Sequence, residues 1–427
     1  MAITSEDVFA ELSEGMGAGL MGDPYPIFAE RRRTSPIMVG DIMSEEFGLP
    51  AMAASMDGSR PMFTFFRYDD VVAALRDPET FSSSVINEVF EPIVGRTVLG
   101  MDGEEHRKRR GLYMPAFTRR LVEMWQERVM RPVARSMVQR VAASPDKRAN
   151  LVDLALRYPV RMIYQIIGLP PDEELYDEFA RGALMVGMAS QGLNPADPEE
   201  NERVRARALA VAQETYEKIL EIVCAKRAAG TDGDDLISRL LRVEFEGEHM
   251  GDEEVARFIR TLLTPASETT TRSWLNVMTL LLHRPEVLEE VRNDRSLILP
   301  AIDEGMRVEP VAVVLGRITT REVEVRGVKI PAKAGITLVT GSANRDEEVF
   351  ERADEFDLHR ESAKATLVFG HGPHLCPGMN TARMEMREAI DALLDELPDL
   401  RLDQDAAPPE IRGVMLRSPA ALHVTWS

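Results

Sequence analysis

Residues 252–283 read DEEVARFIRTLLTPASETTTRSWLNVMTLLLH. Apolar side chains recur at helical spacing through the whole stretch, which predicts one helix of about 30 residues, far beyond the usual three turns. An element of that length restricts the chain to folds that can pack around it. Its middle breaks the helical rules. Pro265 has no amide to donate to the carbonyl of Thr261, so a kink or local opening is expected just before Ser267-Glu268-Thr269-Thr270-Thr271. A polar, proline-interrupted patch is costly in an otherwise apolar helix, and something must compensate for it.

The surrounding sequence agrees with a helical body. Helical periodicity runs through YDDVVAALRD, RRLVEMWQERVMRPVARSMVQRVA, LVDLALRYPVRMIYQIIG and VAQETYEKILEIVCAKR. From Arg317 the texture changes to ITTREVEVRGVKIPAKAGITLVTG, where β-branched residues alternate around Gly327, Pro331 and Gly335, as in a small meander. A last strand pair is expected in IRGVMLRSPAALHVTW. The fold class is therefore mainly α with small β-sheets. No boundary is sharp enough to divide the chain, so residues 1–427 are expected as a single domain, with a helical body over about 1–310 and a sheet-rich region over about 311–427.

With 44% hydrophobic and 29% charged residues the chain belongs to the soluble globular class. The start, MAITSEDVFAELSEGMGAGLMGD, lacks the basic end and apolar core of a signal peptide, and no stretch approaches the length of a membrane span. We read a cytoplasmic protein that neither crosses nor binds a membrane. A formal net charge of −20 would repel nucleic acid and anionic lipid alike, which argues against a nucleic-acid partner. The two cysteines, Cys224 and Cys376, make at most one bridge, and a reducing compartment discourages even that. Cys224, in the helical pattern EKILEIVCAKRA, reads as an inert core residue.

Cys376 is different. It lies in FGHGPHLCPG, among Gly370, Gly372 and Gly378, directly before a helix whose apolar stripe carries Met379, Ala382, Met386, Ile390, Leu393, Leu394 and Leu397. A cysteine at a helix N-terminus is biased toward thiolate, because free amides and the positive end of the helix dipole stabilise the anion. The glycines permit a tight turn and close approach of backbone to a flat ligand. A thiolate serves as a nucleophile, a zinc ligand or an iron ligand. No orienting partner for a histidine base can be named, and His371, His374 and Cys376 stand too close together for an obvious tetrahedral zinc set.

The pattern Phe369-x-x-Gly372-x-x-x-Cys376-x-Gly378 resembles the haem-binding signature of the cytochrome P450 family, with His374 where that family often has a basic residue. Further motifs resemble the family in its own order. Glu304 and Arg307 match its ExxR pair, joined by an arginine like Arg360; Glu30 with Arg33 and Glu104 with Arg107 share the spacing, but only Glu304 precedes Cys376 by 72 residues. Ala343-Asn344-Arg345-Asp346 and residues 356–360 resemble the connection into the haem loop. His106 and Arg110 match a His-x-x-x-Arg pair that contacts the haem propionates in bacterial members, and Arg317 and His374 match the other propionate contacts. The physics agrees, since i,i+4 residues share a helix face and carboxylates need cationic donors. Pro265-Ala266-Ser267-Glu268-Thr269-Thr270 resembles the family's distal Ala/Gly-Gly-x-Asp/Glu-Thr-Thr segment, with Pro265 replacing Ala or Gly and Ala266 replacing glycine.

The resemblance implies haem b held by Cys376 as axial iron ligand, with Phe369, Gly370, Gly378 and Ala266 against the cofactor. It also implies that Thr269 hydrogen-bonds the oxygen being activated and that Glu268 relays protons. The plain alternative for the threonine run is hydrogen bonding back to its own helix. The implied reaction is monooxygenation of a hydrophobic small molecule, such as a terpenoid, steroid, fatty acyl or aromatic compound, with O2. A peroxide-driven haem peroxygenase and a non-catalytic haem sensor are the rival readings. Electrons must come from outside, since the chain shows no flavin or nicotinamide fingerprint; an iron–sulfur ferredoxin with an NAD(P)H-dependent reductase is implied. Arg107, Lys108, Arg109, Arg110, Arg119 and Arg120 form a basic concentration suited to such a donor. The expected pocket lining is 85–98, 184–193, 262–269, 311–314 and 415–416.

Overall fold

The computed structural model describes residues 22–53, 58–190, 198–361 and 365–427. Its axis is the long helix Asp252–Leu282, which runs unbroken through Pro265. Helices Leu151–Ile167, Glu173–Ser190, Pro198–Ala229 and Ile298–Val308 pack along it. Periodicity explains the packing: Leu275, Met278 and Leu282 of the long helix share one apolar cluster with Leu154, Tyr158 and Met162 and with Ile390 and Leu393 of helix Met379–Glu396. Proline removes one backbone bond only. The Ser267 and Thr269 hydroxyls donate to the carbonyls of Leu263 and Pro265 (both 2.8 Å), and these bonds keep the following turn polar without opening it. The expected opening therefore does not take the form of a break.

Twelve short strands are present among the described residues: β1 (Ile37–Val39), β2 (Met62–Phe65), β3 (Phe81–Ser82), β4 (Arg148–Asn150), β5 (Glu244–Phe245), β6 (Glu248–His249), β7 (Leu315–Thr319), β8 (Val323–Val325), β9 (Val328–Ile330), β10 (Gly335–Leu338), β11 (Arg401–Leu402) and β12 (His423–Thr425). The main sheet has the order β1-β2-β10-β7-β3, so its strands come from both ends of the chain. β10 runs parallel to β2 and antiparallel to β7, with Ile336 opposite Arg317. The expected meander from Arg317 is split: β7 and β10 enter this sheet, while β8 and β9 form a separate hairpin. Strands β1–β3 have two to four residues each, too few for alternation to register in the sequence, and only pairing makes them strands: β1 with β2, β2 with β10 and β3 with β7. The last expected pair reduces to β12, which lies between β11 and β4, and one bridge between Arg412 and Ser418.

Two expectations about single features need correction or completion. Cys224 is exposed and not in the core, because helix Pro198–Ala229 turns Ile219 and Val223 inward instead. Among the described residues no helix is long and apolar enough to cross a membrane. The start of the chain read for a signal peptide falls largely in residues 1–21, outside the described residues.

Candidate active site

The cysteine loop is a compact turn closed by its own backbone. The Cys376 amide donates to the Phe369 carbonyl (2.9 Å), and Gly370 and Gly372 both have positive φ, +72° and +70°. A Cβ on Gly372 would stand 2.5 Å from the Leu75 carbonyl, so here glycine is required for space as well as for conformation. Burial pushes the Cys376 thiol up from its ordinary value, while the amides of Gly378 and Met379 and the Arg110 guanidinium pull it down. Burial wins. The helix-terminus bias expected from sequence acts in the right direction, yet a thiolate at this position needs a further positive centre, and a coordinated metal ion provides one.

Behind the loop, Glu304 and Arg307 form a fully buried pair on helix Ile298–Val308. Arg307 donates Nε and Nη2 to the two Glu304 oxygens (both 2.8 Å), and Arg360 Nε donates to Glu304 Oε1 (2.9 Å). The remaining Arg307 hydrogens go to the carbonyls of Asn344, Ala353 and Glu355 (2.8, 2.7 and 2.9 Å). Asn344 in turn accepts the Leu367 amide on its side-chain oxygen (2.7 Å). The network thus connects a helix, the 344–360 segment and the strand of chain that enters the cysteine loop.

Nitrogen donors gather on the other side of the loop. His106, buried on helix Gly103–Tyr113, stacks on His374 with ring centroids 4.1 Å apart. Burial lowers the pKa of His106 to about 4, and the neighbouring His374 and Arg110 push the same way. Arg110 donates to the carbonyl of Leu375. Arg317, 4% exposed, donates to the Gly316 carbonyl (2.7 Å), has no ion pair among the described residues, and is lowered by burial to about 10. A guanidinium desolvated without a counter-ion calls for an anion. Asp102 organises this group: it lies 3.3 Å from His374 Nε2 and accepts from Ser82 Oγ (2.6 Å) and the Ser83 amide (3.0 Å). Burial would raise Asp102, but these donors hold it below its ordinary value. Asp102 was missed from sequence, although its place just before helix Gly103–Tyr113 was the available signal.

On the long helix, Thr269 is exposed and its hydroxyl donates back to Pro265, so the plain reading of the threonine run describes its bonding here. Thr271 donates across to the Ala155 carbonyl (2.9 Å). Glu268 is buried and paired with Arg272, one turn along. Arg272 also donates to Leu416 O (2.9 Å) and Ser418 Oγ (2.8 Å). This partner does not enter the sequence reading of Glu268 as a proton relay, although i,i+4 spacing to Arg272 was the available signal. Ala266 is half-buried beside them. Above, Ile93 and Val94 pack with Val186, Ala208 and Ala212, joining helix Val85–Val94 to the two helices Glu173–Ser190 and Pro198–Ala229. Part of the expected lining, the side chains of Leu184, Thr264 and residues 187–190 and the whole of residues 191–193, lies outside what the structure describes.

Among the described residues no group of three or more His, Cys, Asp or Glu side chains is placed to hold a metal. His371 accepts from Arg76 Nε (2.8 Å) and His374 is engaged by His106 and Asp102, so neither supports zinc or a cysteine nucleophile. The Cys376 thiol and the neighbouring donors His106, Arg110, Arg317 and His374 are chemically suited to a metal bound by sulfur and to the carboxylates of a bound group.

Comparison with known proteins agrees. The family model described as Cytochrome P450 matches residues 51–423. The chain is 34% identical over 340 residues to the cyclomarin C epoxidase CymV of Salinispora arenicola, covering 78% of this chain and 83% of that one. It is 35% identical over 345 residues to the erythromycin C-12 hydroxylase of Saccharopolyspora erythraea, covering 80% and 83%. The solved structure of cytochrome P450 CYP109Q5 from Chondromyces apiculatus superposes with a TM-score of 0.79 at 28% identity, covering 95% of each chain. The chain belongs to the cytochrome P450 family. It is an oxidoreductase of the monooxygenase type whose cofactor is haem b.

Proposed function

We propose that the chain uses O2 to hydroxylate a hydrophobic small molecule of terpenoid, steroid, fatty acyl or aromatic type, with electrons from a separate iron–sulfur ferredoxin and its NAD(P)H-dependent reductase. The observation that carries this reading is the half-buried Cys376 thiol, with the backbone amides of Gly378 and Met379 directed at it and the charge of Arg110, which bonds the neighbouring Leu375 carbonyl, close by. Bound there, haem b supplies the activation of O2, for which a thiolate ligand donates electron density to the iron. The protein's own residues do the rest. Cys376 Sγ holds the iron, and Phe369, Gly370 and Gly378 keep the loop close enough for a flat ring. His106, Arg110, Arg317 and His374 hold the propionates, which supply the anion that buried Arg317 needs. Ala266 leaves room on the distal side.

Thr269 presents its hydroxyl at an exposed position and donates its hydrogen bond to the Pro265 carbonyl, so the lone pairs of its oxygen are left to accept from a water or a reacting group. Glu268, bound to Arg272, is a positioning carboxylate in this arrangement; it relays a proton once the Arg272 bond is exchanged for water. Electrons enter from the outer face of the cysteine loop, and the cytoplasm, where NAD(P)H is regenerated, is the compartment this reading implies. Two measurements test it. The reduced, carbon monoxide-bound protein must show the strongly red-shifted band of thiolate ligation, and a histidine-type spectrum ends the proposal. A library of hydrophobic compounds, screened for the spin-state shift that follows loss of iron-bound water, identifies the substrate class; hits confined to polar compounds contradict it.

A further inference from the structure

The cations concentrated around residues 107–110 are not free. Arg107 donates Nη1 and Nη2 to the two oxygens of Glu246 (both 2.8 Å), and Nε and Nη2 to Glu104 (2.8 and 2.6 Å). Lys108 lies 3.8 Å from Glu248, and Arg109 pairs with Glu254. Glu246 and Glu248 belong to the β5–β6 hairpin, whose two-residue turn is Glu246-Gly247, both with positive φ (54° and 81°). The hairpin is seated on the helix. A Cβ on Gly111 would be 2.5 Å from the Phe245 ring, and Arg107 stands over that same ring at 5.6 Å. Two acids, Glu246 and Glu248, are thereby held beside a basic helix.

The position of that helix gives the contact a consequence. Arg107, Arg110 and Met114 follow one another at one-turn spacing, and Arg110 bonds the carbonyl of Leu375, the residue before Cys376. Leu375 and Met114 are exposed apolar side chains. This stripe therefore runs from the hairpin to the exposed residue next to Cys376, so that an acidic electron donor docked on it would sit beside the cysteine loop.

We propose that the β5–β6 hairpin is a built-in competitor of the electron donor: Glu246 occupies the Arg107 guanidinium that an acidic ferredoxin otherwise engages, and the donor docks by displacing it. The inference rests on the reading that a separate acidic ferredoxin supplies the electrons. With the chain at a net charge of −20, a partner must outcompete a carboxylate already in place, which favours donors carrying several acids in the right arrangement over any anionic protein.

The test is a double-mutant cycle on the haem-loaded protein, with a purified acidic plant-type [2Fe–2S] ferredoxin as probe, at low ionic strength by calorimetry. Glu246→Gln is expected to tighten binding about two- to fivefold, the range of one exposed ion pair. Arg107→Gln is expected to change the Kd less than about 1.5-fold when Glu246 is present, and to weaken binding about two- to fivefold in the Glu246→Gln background. Equal effects of Arg107→Gln in both backgrounds overturn the proposal. So does an equal gain from Glu217→Gln, an exposed acid on helix Pro198–Ala229 that changes the net charge without touching the hairpin. If the ferredoxin binds no variant and reduces none, the donor reading itself falls and takes this proposal with it; binding without coupling sinks the competitor alone. An unchanged carbon monoxide spectrum in every variant confirms that the fold and the haem are intact.

Discussion

Glu304 and Arg307 stand three residues apart on one helix, and so do Glu104 and Arg107. Both arginines make two bonds to their glutamate, both have a second polar partner from a distant segment, and both lie over a phenylalanine ring, Phe350 at 5.1 Å and Phe245 at 5.6 Å. The side chains of the first pair are 1% and 0% exposed, those of the second 66% and 46%. In the buried pair the guanidinium is spent on the glutamate and three backbone carbonyls, so the pair can only be structural. In the exposed pair water and other proteins compete for the same bonds. Identical chemistry at identical spacing becomes a rivet in one place and an exchangeable contact in the other.

The comparison breaks most visibly with Arg307→Ala. It leaves buried Glu304 with only Arg360 and the Asp357 amide, both on one oxygen, and takes a donor from three carbonyls, and we expect a loss of about 3–5 kcal/mol, read as failure to purify haem-loaded protein. Arg307→Lys does not rescue it, because one ammonium group cannot reproduce the planar fork. Glu268→Gln is next. Arg272 keeps Leu416 and Ser418 but loses its counter-charge, for an expected cost of about 1.5–3 kcal/mol in urea unfolding. Thr269→Ala is expected to cost less than about 1 kcal/mol, since it removes one bond back to Pro265. Its effect is on chemistry: electrons go increasingly to peroxide, measured as product formed per NAD(P)H consumed, and unchanged coupling removes Thr269 from the mechanism. Smallest is Glu104→Ala, at about 0–1 kcal/mol, an effect that 1 M salt abolishes while leaving the Arg307→Ala deficit in place.

What could be read from the sequence follows the same division between local and distant. The long helix, the glycine-rich cysteine turn and the helix after it are set by neighbouring residues, and all three stand where periodicity placed them. Arg360 joining Glu304 was legible only through the family resemblance, since 56 residues separate them. The Glu246 contact with Arg107 spans 139 residues, and Asp102 with His374 spans 272; no spacing rule reaches that far. The basic run therefore looked like an open surface. Strands β2 and β3 failed to show for the same reason, as their partners β10 and β7 lie more than 200 residues away.

Two glycines of the cysteine turn differ in what they allow to vary. Gly372 is closed: any side chain there meets the Leu75 backbone, which belongs to another helix and cannot rotate away. Gly378 has an ordinary φ of −82°, and an added methyl group would have as its nearest neighbour only the Cys376 sulfur, at 3.8 Å. For anyone diversifying this enzyme by mutation, the first position is a fixed point of the library. The second is a dial set directly on the sulfur, where one carbon atom changes how much water reaches the ligand and so how strongly it donates.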